Sequence, residues 1–140
     1  MEIEAALAIA REHHRGIFVT QRANGRPQLS NVAYYVGDDG IVRVSLTADR
    51  AKTKNLQRTP RASFYVGRED FWAYLVLEAD VELTPVAASP DDATVDELVE
   101  YFRAVSGEHD DWDEYRRAMV TDGRLVARLR PTHAYGTWSS

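Results

Sequence analysis

Between Ser45 and Leu56 the chain reads Ser-Leu-Thr-Ala-Asp-Arg-Ala-Lys-Thr-Lys-Asn-Leu, the densest concentration of anion-binding groups in the sequence. Ser45 and Thr47 place two hydroxyls on the polar face of a strand end. Arg50 and Lys52, spaced by Ala51, add two cations, and Thr53 is expected to open a short helix. A phosphate needs directed N–H and O–H donors together with positive charge, and a helix N-terminus supplies both. Arg50 offers a bidentate fork and Lys52 a mobile point charge. Read from the residues alone, the same stretch also fits a solvated basic turn. The shared face of Ser45 and Thr47 favours the ligand.

Two further groups could shape such a site. Gln28, Ser30 and Asn31 bring amide and hydroxyl groups into a strand otherwise patterned for burial. They suit either the donor–acceptor edge of a heterocycle or hydrogen bonds to neighbouring loops. Phe71, Trp72 and Tyr74 precede a long strand, where they could wall a flat ring, anchor a subunit interface or simply pack a core. Other chemistries find little support. His13 and His14 are adjacent and share no helix face, His109 and His133 lack ligand-like spacing, and no nucleophile elbow or glycine-rich phosphate loop occurs. A metal site is not expected, and the paired acids Asp91-Asp92 and Asp110-Asp111 read as helix caps.

Composition narrows the class. With 140 residues, 44% of them hydrophobic and 28% charged, the chain is expected to fold as one domain spanning residues 1–140. Cysteine is absent, which excludes disulfides and zinc–thiolate sites and fits a cytoplasmic location. No apolar run reaches the roughly 18 residues of a membrane span, and charges interrupt any candidate signal peptide. The net charge of −5 argues against nucleic acid as a partner. Arg50, Lys52, Lys54, Arg58 and Arg61 nevertheless form a basic island without an acid among them. Such an island in an acidic chain points to a small anion rather than a polymer.

The elements that must position these groups follow from periodicity. Glu2–Arg15 has helical spacing, closed by Gly16. Six strands are expected: Gly16–Gln21, Pro27–Val36, Ile41–Thr47, Ala62–Gly67, Tyr74–Leu83 and Arg124–Tyr135. Asn24-Gly25 and Asp38-Asp39-Gly40 mark tight turns, so the first three strands read as an antiparallel meander. Thr53–Arg58 forms a short helix stopped at Thr59-Pro60. Ser89 is expected to cap a helix ending near Gly107, and a second runs Asp111–Val120. Six strands with helices at the edges favour a small, mainly β barrel.

In this order, the Asn-Gly hairpin, GRPQLSNV, a strand ending S-x-T, DRAKTKNLQRTPRASFYV, FWAYLVLE and a tail GEHDDWDEYRRAMV…RLVARL resemble the pyridoxamine 5′-phosphate oxidase-like superfamily. The similarity covers nearly the whole chain and is nearest to the branch of coenzyme F420-dependent enzymes. It implies a six-stranded antiparallel split β-barrel and a homodimer with cofactor sites at the subunit interface. It also implies reduced deazaflavin coenzyme F420, with FMN as the alternative, and a small conjugated molecule as hydride acceptor. A non-catalytic carrier of the same cofactors is a further alternative. By this resemblance Arg50, Ala51, Lys52 and Thr53 hold the cofactor phosphate beside Ser45 and Thr47, and Ser30 and Asn31 line its tricyclic ring. Trp72 and Tyr74 come from the partner subunit. The charges of Lys54, Arg58 and Arg61 suit the acidic tail of F420 and fit plain surface solvation equally well. The chain ends at Tyr135-Gly-Thr-Trp-Ser-Ser140 without the arginine-containing segment that binds substrate phosphate in true pyridoxamine phosphate oxidases, so vitamin B6 oxidation is not expected.

Overall fold

The computed structural model describes residues 1–139. Along the chain run α1 (Ile3–Ala10), β1 (Arg15–Gln21), β2 (Pro27–Ala33), β3 (Tyr35–Val36), β4 (Val42–Thr47) and α2 (Ala51–Arg58). They are followed by β5 (Arg61–Gly67), β6 (Tyr74–Leu83), α3 (Ala93–Ser106), α4 (Trp112–Thr121) and β7 (Arg124–Thr137). All the strands join one antiparallel sheet in the order β2-β1-β5-β6-β7-β4-β3. The sheet curls into a split barrel with helices at its flanks, as the resemblance implies.

The expected strand Pro27–Val36 is in fact two strands, which makes seven rather than six. The expected meander breaks there as well. β2 pairs with β1, whereas β3 pairs with β4 at the opposite edge of the hydrogen-bonded order. Tyr34 alone separates these two edge strands. Its ring is fully buried, meets Phe64 edge-on at 4.9 Å, and its hydroxyl donates to the Ala10 carbonyl at 2.8 Å. Its own N–H donates to His14 O. One residue thus carries the chain across the mouth of the barrel, and β2 comes within 8 Å of β4 (Cα to Cα) without joining it.

Alternation explains the core. Val42, Val44 and Leu46 of β4, Leu75, Leu77, Ala79 and Val81 of β6, and Leu125, Ala127 and Leu129 of β7 all point inward with Phe18 and Phe64. A Cβ at Gly16 would run into the Phe64 ring, so that position must be glycine for β1 to lie against β5. The expected helix Glu2–Arg15 is shorter: α1 stops at Ala10, and β1 opens at Arg15, one residue before the expected Gly16, because pairing with Ala33 wins over helical spacing. Asn24-Gly25 does turn the β1–β2 hairpin, with Gly25 at φ +84°.

α3 and α4 sit on the outer side of the sheet, where Leu98 and Tyr115 pack on Val126 of β7. Asp92, not Ser89, caps α3, since its carboxylate accepts from Val95 N at 2.9 Å while also tying Ala88 N and Ser89 N. Asp111 caps α4 through Glu114 N. α3 is pinned to the sheet by Glu97, which accepts from Arg43 Nε (3.1 Å) and Arg128 Nε (2.9 Å), two arginines directly opposite each other on β4 and β7. Burial pushes the Glu97 carboxyl up, but the bonds from Arg128 and Arg43 outweigh it and hold the group below its ordinary 4.5.

Tyr34→Phe should cost about 0.5–1.5 kcal/mol in denaturant unfolding, because Ala10 O keeps the His13 N–H as a second donor. A much larger loss would show that the phenol does more than close the barrel mouth. Glu97 contributes stability above the carboxylate's unfolded pKa and loses it as pH falls through the lowered folded value. Unfolding curves of Glu97→Gln should therefore weaken less than wild type between about pH 5 and pH 3; parallel curves would remove Glu97 from the acid response.

Candidate functional site

At the end of β4 the chain turns through Ala48-Asp49-Arg50 into α2. The helix opens at Ala51, two residues earlier than Thr53, with Arg50 at its N-cap. Its first turn holds no acid and no side chain caps it, so its leading N–H groups remain open to a ligand. The turn itself is fixed by one carbonyl: Thr47 O accepts from Arg50 N (3.2 Å) and from Thr53 Oγ1 (2.7 Å). Thr53 is 0% exposed and its hydroxyl proton is committed to that bond. It therefore positions the loop from beneath, with its hydroxyl engaged within the chain. Asn55 Nδ2 ties the helix to Thr20 of β1 (3.1 Å).

Above this anchor three cations converge. Lys52, in the first turn of α2, is half-buried; burial first, then the charges of Arg50 and Arg124, lower its pKa from the ordinary 10.5. Arg124, the first residue of β7, stands directly across from Thr47. Its Nη1 reaches Ser45 Oγ at 3.4 Å, while its Nε is buried with no partner. Among the described residues none of Arg50, Lys52 and Arg124 makes a salt bridge. Like charges gathered without counter-ions cost free energy that a bound anion returns. Thr47, Asp49, Arg50, Ala51 and Asp122 line a groove of about 460 Å³ at this spot, with the two acids on its walls.

Among the described residues three buried side-chain polar atoms lack a hydrogen-bond partner: Thr47 Oγ1, Arg124 Nε and Ser30 Oγ. Two belong to the cation cluster and the third to β2, the strand that approaches β4 across the split. Buried polar groups left unpaired are uncommon, and two orphans here share one strand pair. A phosphate-bearing ligand with a polar ring fits these residues, since it would supply both charge and acceptors.

The other expected site residues disperse. Asn31 is exposed and lines a separate groove of about 480 Å³ with Arg15, Ile17 and Tyr65 on the outer side of β1 and β2. β2 is an edge strand with Leu29 59% exposed, not a strand built for burial. Trp72 is 78% exposed in the β5–β6 loop, which the Arg68–Asp70 ion pair holds, and Tyr74 stacks on Tyr65 at 5.7 Å. Tyr74 pairs with Thr137 at the end of β7 opposite Arg124. The 14 residues of β7 span roughly 45 Å of contour, so within one chain these aromatics do not meet the cations. Arg124 was missed in the sequence because its membership depends on β4–β7 pairing across a long insertion. The Asp122-Gly123-Arg124 turn was the one available hint.

The comparisons agree with this architecture. A structure of a conserved hypothetical protein from Mycobacterium tuberculosis superposes with a TM-score of 0.75 at 19% identity, covering 97% of this chain and 84% of that one. An F420 reductase gives 0.69 at 22% identity over 91% and 94%. The heme storage protein HutZ from Vibrio cholerae gives 0.69 at 16% over 96% and 94%. At these identities the likeness is one of fold. The sequence profile described as pyridoxamine 5′-phosphate oxidase matches residues 3–137, and the chain belongs to that family.

Proposed function

We propose that this protein is an oxidoreductase that uses reduced coenzyme F420 to transfer hydride to a conjugated small molecule, with the cofactor held between two copies of the chain. The observation that carries the reading is the cluster of Arg50, Lys52 and Arg124, none of them in an ion pair among the described residues, with Thr47, whose buried hydroxyl has no partner, across from Arg124 and in one groove with Arg50. Arg50 and Lys52 take the phosphate, Arg124 and the free N–H groups of α2 complete its shell, and Ser30 addresses the ring from β2. When bound, the deazaflavin supplies the hydride. The chain supplies placement and exclusion of water, worth most when the reacting atoms are held within about 3–3.5 Å. Trp72 is exposed and Tyr74 half-buried at the far end of the barrel, so in this reading a second copy brings them over the site. The fold's likeness to an F420 reductase supports the choice of cofactor.

A specific observation keeps FMN as the second reading. Arg58, one of the three cations offered to the acidic tail of F420, is already spent on Gln21 O (2.7 Å) and Asn55 Oδ1 (3.2 Å). Lys54 and Arg61 are exposed and remain for that tail. Turnover of reduced F420 with a panel of quinones and nitroaromatics separates an enzyme from a carrier.

Equilibrium titration should give tighter binding of F420 than of FMN; the reverse order would assign the site to FMN. Lys52→Ala should weaken binding by about 1.5–3 kcal/mol, the worth of one charge-assisted bond. An anion favours charged Lys52, so binding takes up a proton wherever the free lysine has lost it. Affinity is then full at low pH and declines as pH rises through the lowered Lys52 pKa. The alkaline decline should vanish in Lys52→Ala, and its persistence would transfer the effect to another group.

A further inference from the structure

A cavity of about 340 Å³ lies beneath α3 and α4, bounded by Tyr101, Phe102, His109, Tyr115, Ala118 and Met119, with Ser45 and Arg124 also in its lining and Glu114 beside it. Its walls are mostly aromatic and aliphatic side chains. The Tyr101 hydroxyl donates to Ala33 O (2.9 Å) and the Tyr115 hydroxyl to Leu98 O (2.9 Å), so both phenols turn their protons away to the backbone. Phe102 sits edge-on to Tyr115 at 5.0 Å and to His109 at 5.1 Å, and all three rings also reach the cavity lining, where another ring can meet them. His109 Nδ1 accepts from Asp111 N at 2.9 Å, which puts the hydrogen of the neutral imidazole on Nε2.

Against these apolar walls stands one cation. Arg124 has five donors; one makes a long contact to Ser45 Oγ, Nε has no partner, and no carboxylate lies within ion-pair distance among the described residues. A guanidinium at one end of an aromatic cavity is complementary to a flat ring bearing a carboxylate, which it can grip bidentately. The volume is near the lower limit for ligand sites, about 300–1,000 Å³, and suits one or two fused rings rather than a tricycle. Glu114, exposed on the lining, opposes a second negative charge.

We infer that this cavity is a binding site for a small aromatic monocarboxylate, with Arg124 as its anion partner and the α3–α4 aromatic cluster as its ring pocket. The site shares Arg124 with the phosphate cradle but stands without the cofactor reading, and it is tested on the full chain with no cofactor added. Calorimetric titration with 2-naphthoate should show saturable binding, and the neutral 2-naphthylmethanol should bind at least about tenfold more weakly, the worth of one charge-assisted bond. Arg124→Met should reduce 2-naphthoate to the level of the alcohol. Ala118→Phe, which fills the cavity, should abolish binding.

Met119 is one of only two methionines, so its methyl resonance reports on the cavity in the unmutated protein without depending on any variant that fails to fold. It should shift in step with the calorimetric isotherm. Equal affinity for acid and alcohol, a Met119 methyl that stays still at saturation, or loss of 2-naphthoate binding in Lys52→Ala with full retention in Arg124→Met would each overturn the assignment. If F420 and FMN both fail to bind while 2-naphthoate behaves as stated, the cofactor proposal falls and this one stands.

Discussion

The passage of the chain from one sheet edge to the other within a single residue is the constraint on which the rest depends. β2 and β3 lie at opposite ends of the hydrogen-bonded order, yet only Tyr34 separates them. A sheet whose ends are tied so closely cannot remain open. It must curl, and the buried phenol bonded to Ala10 O holds the curl against α1. Two consequences follow for the site. β2, carrying Ser30, is brought up to β4, carrying Ser45 and Thr47, without a ladder between them. β4 itself gains its second neighbour from β7, which places Arg124 across from Thr47.

The site is then a matter of unmet electrostatics. Five arginines are matched: Arg43 and Arg128 share Glu97, Arg68 takes Asp70, Arg103 takes Glu100 and Glu108, and Arg116 takes Asp96. A protein with an excess of acid has no difficulty supplying counter-ions. Arg50, Lys52 and Arg124 form no ion pair among the described residues although Asp49 and Asp122 line the same groove as Arg50, and a buried hydroxyl without a partner lies beside them, in contrast to Arg43 and Arg128. Surface pairs contribute little to stability, so the contrast matters less for folding than for what the uncompensated corner attracts.

Much of this was readable from residue order. The alternation of Val42, Val44 and Leu46, and of Leu75 through Val81, placed β4 and β6 correctly because one face of each is buried. The Ser45–Lys52 run exposed its chemistry because its donors are neighbours in sequence. What stayed hidden were properties of pairing. Nothing local announces that Tyr34 ends one strand and begins another, or that Arg15 leaves a helical pattern to pair with β2. Thr53 read as a ligand-facing hydroxyl because its burial depends on Thr47 O folding back over it. Arg124 lies 72 residues beyond Lys52, and only the β4–β7 register unites them.

Arg124 lines the cavity under the helix pair and stands across from Thr47, which lines the groove at the turn into α2. A guanidinium has one set of donors to distribute. Whatever engages them from the helices is felt by an anion at the turn, and linkage requires the influence to run equally in both directions. Occupancy on either side thereby becomes a variable for the other, transmitted through a single side chain and without any movement of the barrel.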